Sequence, residues 1–416
     1  MITPLPLTLD PNINVPLPEF AKSAKQAVVV VHNFYQQAGG EDGVFADETR
    51  LLEAHGHPLT RFTVHNDQVE LLGKLALARK TIWNSDTAGK LREVVRREKP
   101  AVVHFHNTFP LVSPAAYYAA RKQGAAVVQT LHNYRLLCPA AVFMRDGKVC
   151  EDCLGKTFPL PAVKHKCYRG NLPASVITAT LLASHRVIGT WKNAVDVYIA
   201  LTEFAKQKFI EGGLPANKII VKPNFVDPDP GAGAGTGGYA VFAGRFSPEK
   251  GLETLLDAWD KLDGKVPLKI MGDGPQAGMV QERVARLKNV EWLGRKPLAD
   301  VYQIIGDASF LVLPSIWYEG FPKTIVESFA KGTPVLASNL GSMTELIDPG
   351  KTGLLFKPGD PSDLAMQVNA IMSDPTHLHD MRTHARQKYE AHYTATQNYR
   401  HLRDIYDVAV ETRHAR

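Results

Sequence analysis

Short runs of aliphatic residues recur along the chain, and most of them are followed by a stretch with helical periodicity. The runs cover residues 26–31, 101–106, 126–132, 239–243, 268–271, 290–293, 310–313 and 334–337. Runs of this length and composition are typical of strands that are buried on both faces of a parallel sheet. The alternation therefore predicts an α/β protein built from doubly wound sheets.

One segment, residues 224–238, interrupts this periodicity with a run of glycine, alanine and proline. We interpret it as a flexible linker between an N-terminal domain, 26–223, and a C-terminal domain, 239–380. Residues 1–25 are predicted to be a loosely ordered leader, and 381–416 to be helices that pack back on the first domain. Two α/β domains joined in this way would leave a cleft between the carboxyl edges of their sheets.

The composition is that of a soluble globular protein, because 44% of the 416 residues are hydrophobic. No apolar run reaches the ~18 residues needed to cross a bilayer. The proline-rich first 25 residues also lack the continuous apolar core of a signal peptide. We therefore expect a cytoplasmic protein.

Charge is distributed unevenly between the two predicted domains. Residues 26–222 hold 25 Lys and Arg against 16 Asp and Glu, a net charge of +9, whereas residues 223–416 hold 21 against 24, a net charge of −3. A basic first half suits an anionic surface, either lipid headgroups or nucleic acid, although a solvated basic face is the commoner explanation. The inner face of the plasma membrane is therefore a location to test.

The stretch 315–332 is predicted to be a strand-to-helix junction within a βαβ unit. It carries two carboxylates eight residues apart, Glu319 in the loop and Glu327 about one turn into the helix. The first backbone N–H groups of such a helix have no intrahelical partner and attract anions; here they belong to Lys323, Thr324 and Ile325. A ligand with a phosphate for the helix and hydroxyls for the carboxylates fits this arrangement, as a nucleotide sugar would. The alternative is that Glu327 lies in a plain surface helix.

Three further places carry candidate ligand-binding residues. Gly39 and Gly40 follow the first predicted strand and would let the backbone approach a phosphate closely, although the Gly-x-Gly-x-x-Gly spacing of a dinucleotide site is absent. Arg245 and Lys250 place two cations after the strand 239–243. His132 ends another strand, where it is either a ligand-facing residue or a polar cap of the strand.

Together these residues resemble the retaining glycosyltransferases of family 4, which have the GT-B fold of two Rossmann-like domains facing each other across a cleft. The family signature is a Glu-x7-Glu pair preceded by an Arg-x4-Lys pair. Glu319 and Glu327, and Arg245 and Lys250, match it in type, order and spacing. The resemblance implies that the two cations hold the diphosphate of a UDP- or GDP-sugar, Glu319 the donor sugar and Glu327 the ribose.

The resemblance extends to the N-terminal half. Gly39 and Gly40 match the family's glycine loop, which closes over the donor phosphates, and His132 matches a histidine near the reacting sugar. Lys323 and Thr324 would bind phosphate through their backbone N–H groups.

Fixed cations and helix-end N–H groups stabilise the charge that develops on a departing phosphate without a catalytic metal. Neither cleft loop contains an Asp-x-Asp metal motif. The family implies that the leaving phosphate is itself the base for the acceptor hydroxyl, so we name no protein nucleophile. We expect metal-independent, retaining transfer to a saccharide or lipid-linked acceptor in cell-surface polysaccharide synthesis.

All four cysteines lie in one segment, 138–167, with the spacing Cys-x11-Cys-x2-Cys-x13-Cys. In a cytoplasmic chain this spacing favours a structural zinc with a closed shell of four thiolates over disulfides, with free buried thiols and an iron–sulfur cluster as alternatives. A subset of family 4 enzymes that act on bacterial surface polysaccharides looks similar here. The ligands would be Cys138, Cys150, Cys153 and Cys167, and the insert, which follows His132, is expected to form part of the acceptor side of the cleft.

Other interpretations stay open at this stage. A sugar-nucleotide epimerase, or a phosphorylase with pyridoxal phosphate, would use the same two-domain fold. A nucleic-acid module with a zinc finger fits poorly, because the basic residues do not alternate with exposed aromatic ones. The basic stretch 164–169 runs into the apolar segment 174–182, which is either core or a membrane-interfacial helix.

Overall fold

The computed structural model describes residues 25–37 and 39–415. The predicted leader lies outside the described residues except for Lys25. The strands are β1 Val28–Phe34, β2 Leu59–His65, β3 Val102–Phe105, β4 Ala126–Thr130, β5 Met144–Arg145, β6 Lys148–Val149, β7 Val197–Ala200, β8 Ile219–Val221, β9 Ala240–Ala243, β10 Leu268–Met271, β11 Val290–Gly294, β12 Phe310–Leu313, β13 Val335–Ser338 and β14 Gly353–Phe356.

The α-helices between them are α1 Gly40–Ala54, α2 Lys74–Ile82, α3 Ser85–Glu98, α4 Ala115–Lys122, α5 Leu160–Lys164, α6 Leu172–Val187, α7 Thr190–Asn193, α8 Glu203–Glu211, α9 Leu252–Leu262, α10 Ala277–Val284, α11 Leu298–Asp307, α12 Lys323–Ala330, α13 Ser342–Leu346, α14 Pro361–Ser373, α15 Pro375–His392 and α16 Ala395–His414. Short 3₁₀ turns occupy Asn66–Val69, Ala216–Lys218 and Pro248–Lys250.

The strands form two six-stranded sheets and a small antiparallel hairpin. The first sheet has the order β2-β1-β3-β4-β7-β8 and the second the order β11-β10-β9-β12-β13-β14, and the strand pairs within both are parallel. In each sheet the strand order reverses beside the first strand. The reversal lies between β1 and β3 in the first sheet and between β9 and β12 in the second. Ligands of open α/β sheets bind at such points, outside the carboxyl ends of the strands. The predicted fold class, two doubly wound sheets, is confirmed.

Aliphatic strands form the core of each half. Val28 to Val31 of β1 are each at most 1% exposed, and the inner strands of the second sheet are equally buried. Helices cover both faces of both sheets, so each strand has apolar neighbours on two sides.

The last two helices belong to different halves. Ala385 and Tyr389 of α15 are buried in the core of the second sheet. Leu402 and Tyr406 of α16 instead pack with Val28 against the first sheet. The boundary that we expected between residues 380 and 381 therefore falls inside α15, and the chain returns to the first half only after it.

We expected the glycine-rich segment 231–238 to be a free hinge, whereas it is held against the second half. The amides of Gly233, Gly235 and Gly237 donate to the carbonyls of Lys331, Gly306 and Asp307, each at 2.9 Å. A Cβ on Gly233 would lie 2.3 Å from Gly306 Cα, so these glycines allow close packing.

The chain passes between the two halves twice, at adjacent points. Val226 N donates to Tyr393 O at 3.1 Å, and Val226 pairs with Thr394 as an isolated parallel bridge. Asn398 of α16 also donates to Pro223 O at 3.0 Å. In the described part of the chain these two neighbouring segments are the covalent connections between the halves. We therefore expect a rotation of one half against the other to be centred here rather than at the glycines.

Candidate active site

Glu319 is held firmly at the carboxyl end of β12. It is 4% exposed, and its Oε1 accepts hydrogen bonds from Lys250 Nζ and Ser315 Oγ, both at 2.7 Å. Its backbone carbonyl accepts from Ser342 Oγ at 2.8 Å and from Tyr134 OH, in the first half, at 3.3 Å. The carboxylate is thus fixed at the crevice between the sheets.

The cationic loop after β9 reaches the same crevice. Lys250 lies in a 3₁₀ turn that ends at Gly251, where φ is +69° and a Cβ would lie 1.9 Å from Pro314 O. Only glycine fits there, and the close approach joins this loop to the β12 loop. The structure brings Lys250 to Glu319 and leaves Arg245 exposed at the surface. In this state Lys250 is paired with a carboxylate rather than available to an anion.

The start of α12 differs in one detail from the prediction. Ile325 N, expected to be free, donates to Pro322 O at 2.9 Å, because the chain enters the helix through a tight turn. The amides of Lys323 and Thr324 occupy the first two positions of the helix, which has no side-chain cap. Lys323 Nζ also reaches across to Asp47 Oδ2 of α1, at 2.6 Å, and so links the two halves.

Glu327 lies half-buried on α12. Burial raises the pKa of its carboxyl, whereas the nearby Lys323 ammonium lowers it. Burial, with a smaller effect of the Glu327 charge, raises the pKa of the Tyr302 phenol on α11. Binding of the ribose by Glu327 stays a prediction.

Gly39 and Gly40 lie at the start of α1, where Gly39 is the N-cap residue. Asp42 holds this turn: its Oδ2 accepts from Gly39 N at 2.8 Å, and its Oδ1 lies 2.6 Å from His32 Nε2. A Cβ on Gly40 would meet no atom within 4 Å, and neither glycine has a positive φ. Nothing in the described protein therefore requires glycine at position 40.

His132 lies against both halves. Its Nε2 is 3.0 Å from His106 Nδ1, and its carbonyl oxygen would lie 2.6 Å from a Cβ on Gly320, next to Glu319. Burial, with smaller effects of His32 and Lys222, lowers the pKa of His132 to about 3. The imidazole is therefore neutral near pH 7, and it interacts with its neighbours through hydrogen bonds rather than through a charge.

A buried polar cluster behind His132 was not found from the sequence. Glu48 Oε1 is 2.6 Å from Lys222 Nζ, and both side chains are at most 1% exposed. Glu48 Oε2 lies 3.5 Å from His106 Nε2 and 4.0 Å from His104 Nδ1. Burial and the Lys222 charge lower the pKa of His104.

Glu48, His104 and His106 have ligand atoms within 4.8 Å of one another, as a metal site requires. Lys222 already places a positive charge on this carboxylate, and His104 Nδ1 is engaged by Tyr406 OH at 2.9 Å. The arrangement is that of an internal ion pair beside neutral histidines, which does not favour a metal.

The four cysteines lie beside the first half, around the hairpin β5–β6. None of these described residues forms a disulfide. Burial, and to a lesser extent the three other thiols, raises the pKa of Cys153 to about 11. They do not, however, form a set of ligand atoms within 4.8 Å of one another in the part of the chain that is described.

Two family models match the chain in succession. The model described as Glycosyltransferase Family 4 covers residues 38–230, and the model described as Glycosyl transferases group 1 covers residues 231–388. The boundary between them falls in the glycine-rich segment that precedes the second sheet.

Individual proteins resemble parts of the chain. An uncharacterised glycosyltransferase of Methanocaldococcus jannaschii is 31% identical over 181 residues, which are 43% of this chain and 50% of that protein. The lipopolysaccharide 1,6-galactosyltransferase of Escherichia coli is 26% identical over 206 residues, 47% of this chain and 57% of that one. The chain thus spans about half the length of these curated relatives.

Solved structures extend the likeness to nearly the whole fold. Anabaena HepE, crystallised in complex with UDP, superposes with a TM-score of 0.66 over 91% of this chain and 98% of its own, at 17% identity. At this identity the likeness shows the fold alone. The two family matches, which run from residue 38 to residue 388, identify a family 4-like glycosyltransferase, and the structural likeness shows that its fold is GT-B.

Proposed function

We propose that the protein transfers a sugar, with retention of configuration, from a UDP- or GDP-sugar to a saccharide or lipid-linked acceptor in cell-surface polysaccharide synthesis. The observation that carries the proposal is the ion pair between Lys250 and Glu319. This pair lies where the strand order of the second sheet reverses, beside the start of α12. The lipopolysaccharide galactosyltransferase among the relatives supports the choice of acceptor class.

The donor site follows from the charges around the crevice. A donor diphosphate would draw Lys250 away from Glu319 and bring in Arg245, which is exposed and unconstrained enough to turn toward it. Glu319, released from Lys250, would then accept hydrogen bonds from donor-sugar hydroxyls. The space above Gly40, where a Cβ would meet nothing, suits a phosphate that approaches from the second half.

Charge stabilisation supplies the chemistry in this proposal. As the sugar–phosphate bond breaks, Lys250, Arg245 and the first amides of α12 neutralise the departing oxygen. His132 is neutral and either accepts a hydrogen bond from the reacting sugar or donates one to it. The departing phosphate takes the proton of the acceptor hydroxyl on the same face of the sugar, so neither a protein base nor a metal is needed.

Donor binding is tested by thermal unfolding. We expect UDP- or GDP-sugars to raise the melting temperature, because a ligand that binds only the native state stabilises it by about 2.7 kcal/mol at a hundred times its Kd. Glu327→Gln should reduce the shift, and Glu390→Gln, on the surface of α15, should leave it unchanged. If UDP, GDP and their sugars all fail to shift the wild-type protein, the donor assignment is wrong.

A sugar-nucleotide epimerase on the same fold is the second candidate. It would convert the donor sugar without an acceptor, which product analysis of the enzyme with donor alone would reveal. The neutral His132 argues against it, because removal of a proton from a sugar carbon needs a base and His132 is too weak a base for that step.

We also propose that Cys138, Cys150, Cys153 and Cys167 hold a structural zinc. A set of four thiols with a Cys-x2-Cys knuckle fits Zn²⁺. The sulfurs, which do not form a ligand set within 4.8 Å in the described chain, would draw together around the metal. The metal would fix the insert beside the cleft and would have no open position for catalysis.

Elemental analysis should give about one zinc per chain, and chelation should lower the melting temperature because the apo insert loses its cross-link. Cys150→Ser should abolish the zinc, whereas Ser175→Ala, which removes a neighbouring hydroxyl, should not. Protein purified without chelator that contains no zinc would refute the metal.

Contact with an anionic membrane is the third part of the proposal. Leu75 on α2, Leu160 on α5 and Val187 on α6 are 89%, 47% and 75% exposed, and α6 packs against both of the other helices. Basic residues lie close to Leu75 and Leu160 in the sequence: Lys74, Arg79, Lys80, Lys164, Lys166 and Arg169. None of the helices described is long and apolar enough to span a bilayer, so attachment would be peripheral.

We expect the protein to sediment with anionic liposomes at low salt and to be released at high salt, because the Debye length falls from ~10 Å at 0.1 M to ~3 Å at 1 M. Leu75→Ser with Val187→Ser should weaken binding. Leu298→Ser, which removes a similarly exposed leucine from the second half, is the control. If the wild-type protein binds at no ionic strength, a soluble acceptor is the better interpretation.

A further inference from the structure

A polar pocket lies in the first half, next to His132 and to the glycine loop at Gly39 and Gly40. It is built mainly from residues that follow β1, β3 and β4, and Tyr168, directly after Cys167, adds an aromatic ring. Its polar and aromatic walls come from Tyr35, Glu41, Phe109, Asn133, Arg135 and Tyr168. A cavity of about 50 Å³ shares Phe109, Asn133 and Arg135 with these walls and also contacts His132.

Arg135 is held flat within this pocket. Its guanidinium carbon lies 4.2 Å from the centre of the Phe109 ring and 5.2 Å from that of Tyr168. One end of the group is committed, because Nη1 donates to Pro139 O at 2.9 Å. Nε is buried and has no hydrogen-bond partner among the described residues.

Glu41 provides the complementary group. Its Oε2 accepts from Asn133 Nδ2 at 3.1 Å, the residue after His132. Its Oε1 is buried and makes no hydrogen bond of good geometry within the described chain. Burial raises the pKa of this carboxyl, and the nearby Tyr35 hydroxyl offsets part of that rise. Buried polar atoms are rarely left unpaired. The site therefore lacks one hydrogen-bond donor and one acceptor, and a ligand would supply both.

Charge indicates what kind of ligand this is. A phosphate or carboxylate bound to Arg135 would also face the Glu41 carboxylate, which would repel it. A hydroxyl group can donate to a carboxylate and accept from a guanidinium, and neighbouring hydroxyls on one ring can do both at once. A neutral sugar residue meets these requirements, whereas an anion meets only one.

We propose that Glu41 and Arg135 form a subsite for a neutral sugar residue of the acceptor, recognised through its hydroxyls. This inference rests on the proposed function, since it assigns the acceptor side of the same reaction. The subsite adjoins His132 through Asn133, and Glu41 directly follows the glycine loop, so a sugar bound here lies beside the reacting centre.

Direct binding of simple sugars tests the subsite. The probes are methyl α-D-glucopyranoside, methyl α-D-galactopyranoside and methyl α-D-mannopyranoside, measured by saturation-transfer NMR on the full chain with UDP present. We expect the wild-type protein to bind at least one of them. Glu41→Gln and Arg135→Met should each weaken that binding by about tenfold to a hundredfold, since each removes a hydrogen bond to a charged group.

Two matched variants are the controls: Glu70→Gln changes an exposed glutamate, and Arg169→Met removes an exposed arginine that lies over the same Tyr168 ring. Both should bind like the wild type. The proposal is overturned if no methyl hexoside binds, if both test variants bind normally while folded, or if inorganic phosphate occupies the site instead. Loss of nucleotide binding alone would count against the proposed donor function, because hexoside binding would still be measurable.

Discussion

Glu319→Gln and Lys250→Ala are each expected to lower the rate of sugar transfer by about 10²–10³-fold, the loss seen when one preorganised charge-stabilising contact is removed. In the resting structure each residue is the other's partner, at 2.7 Å. The glutamine keeps the size of Glu319 and can still bond to Ser315, but it lacks the charge that positions Lys250. The measurement is the initial rate with saturating donor.

The matched control is Lys288→Ala. Lys288 also pairs with a carboxylate, Asp263, at 2.7 Å, but this pair is on the surface and about 70% of each side chain is exposed. Such pairs contribute little to stability. The control should keep its rate and melting temperature. If Glu319→Gln or Lys250→Ala were folded and turned over at a near-normal rate, the site would be assigned to the wrong residues.

The inner strands could be predicted from the sequence because burial on both faces leaves an uninterrupted aliphatic run. β2 was missed since it is an edge strand whose residues alternate between half-buried and exposed, and LTRFTVH contains no such run. β14 is also at an edge, with two half-buried residues out of four. β7 was also missed, although Val197–Ala200 is fully buried and has the composition of an inner strand.

The motifs that we assign to the donor site could be recognised in the sequence because each consists of residues that are close together along the chain. Glu319 and Glu327 are eight residues apart on one strand–helix junction, so their positions follow from secondary structure alone. Long-range partners have no such signal: Lys222 is 174 residues from Glu48, and Lys323 is 276 from Asp47. The glycine-rich composition also indicated a flexible segment at residues 231–238, whereas Gly233 is packed closely against Gly306.

The buried pair between Glu48 and Lys222 should be the most sensitive point for stability in the first half. Lys222 is 0% exposed and lies just before the segment that connects the two halves. Its ammonium pairs with Glu48 of α1, the helix that begins at the glycine loop. Removing one partner leaves the other charge buried without compensation, which typically costs about 3–5 kcal/mol. A neutral replacement for both partners avoids that cost.

We therefore expect Lys222→Met to lower the free energy of unfolding of the first half by about 3–5 kcal/mol, and Glu48→Gln combined with Lys222→Met to recover most of that loss. Urea titration gives the energies, and hydrogen exchange of the β3 and β4 amides locates the effect. Lys192→Met, at an exposed site, should stay within about 0.5 kcal/mol. Equal losses in the single and double variants would show that Lys222 contributes through packing of its aliphatic stem, since an unpaired Glu48 would then not be the source of the instability.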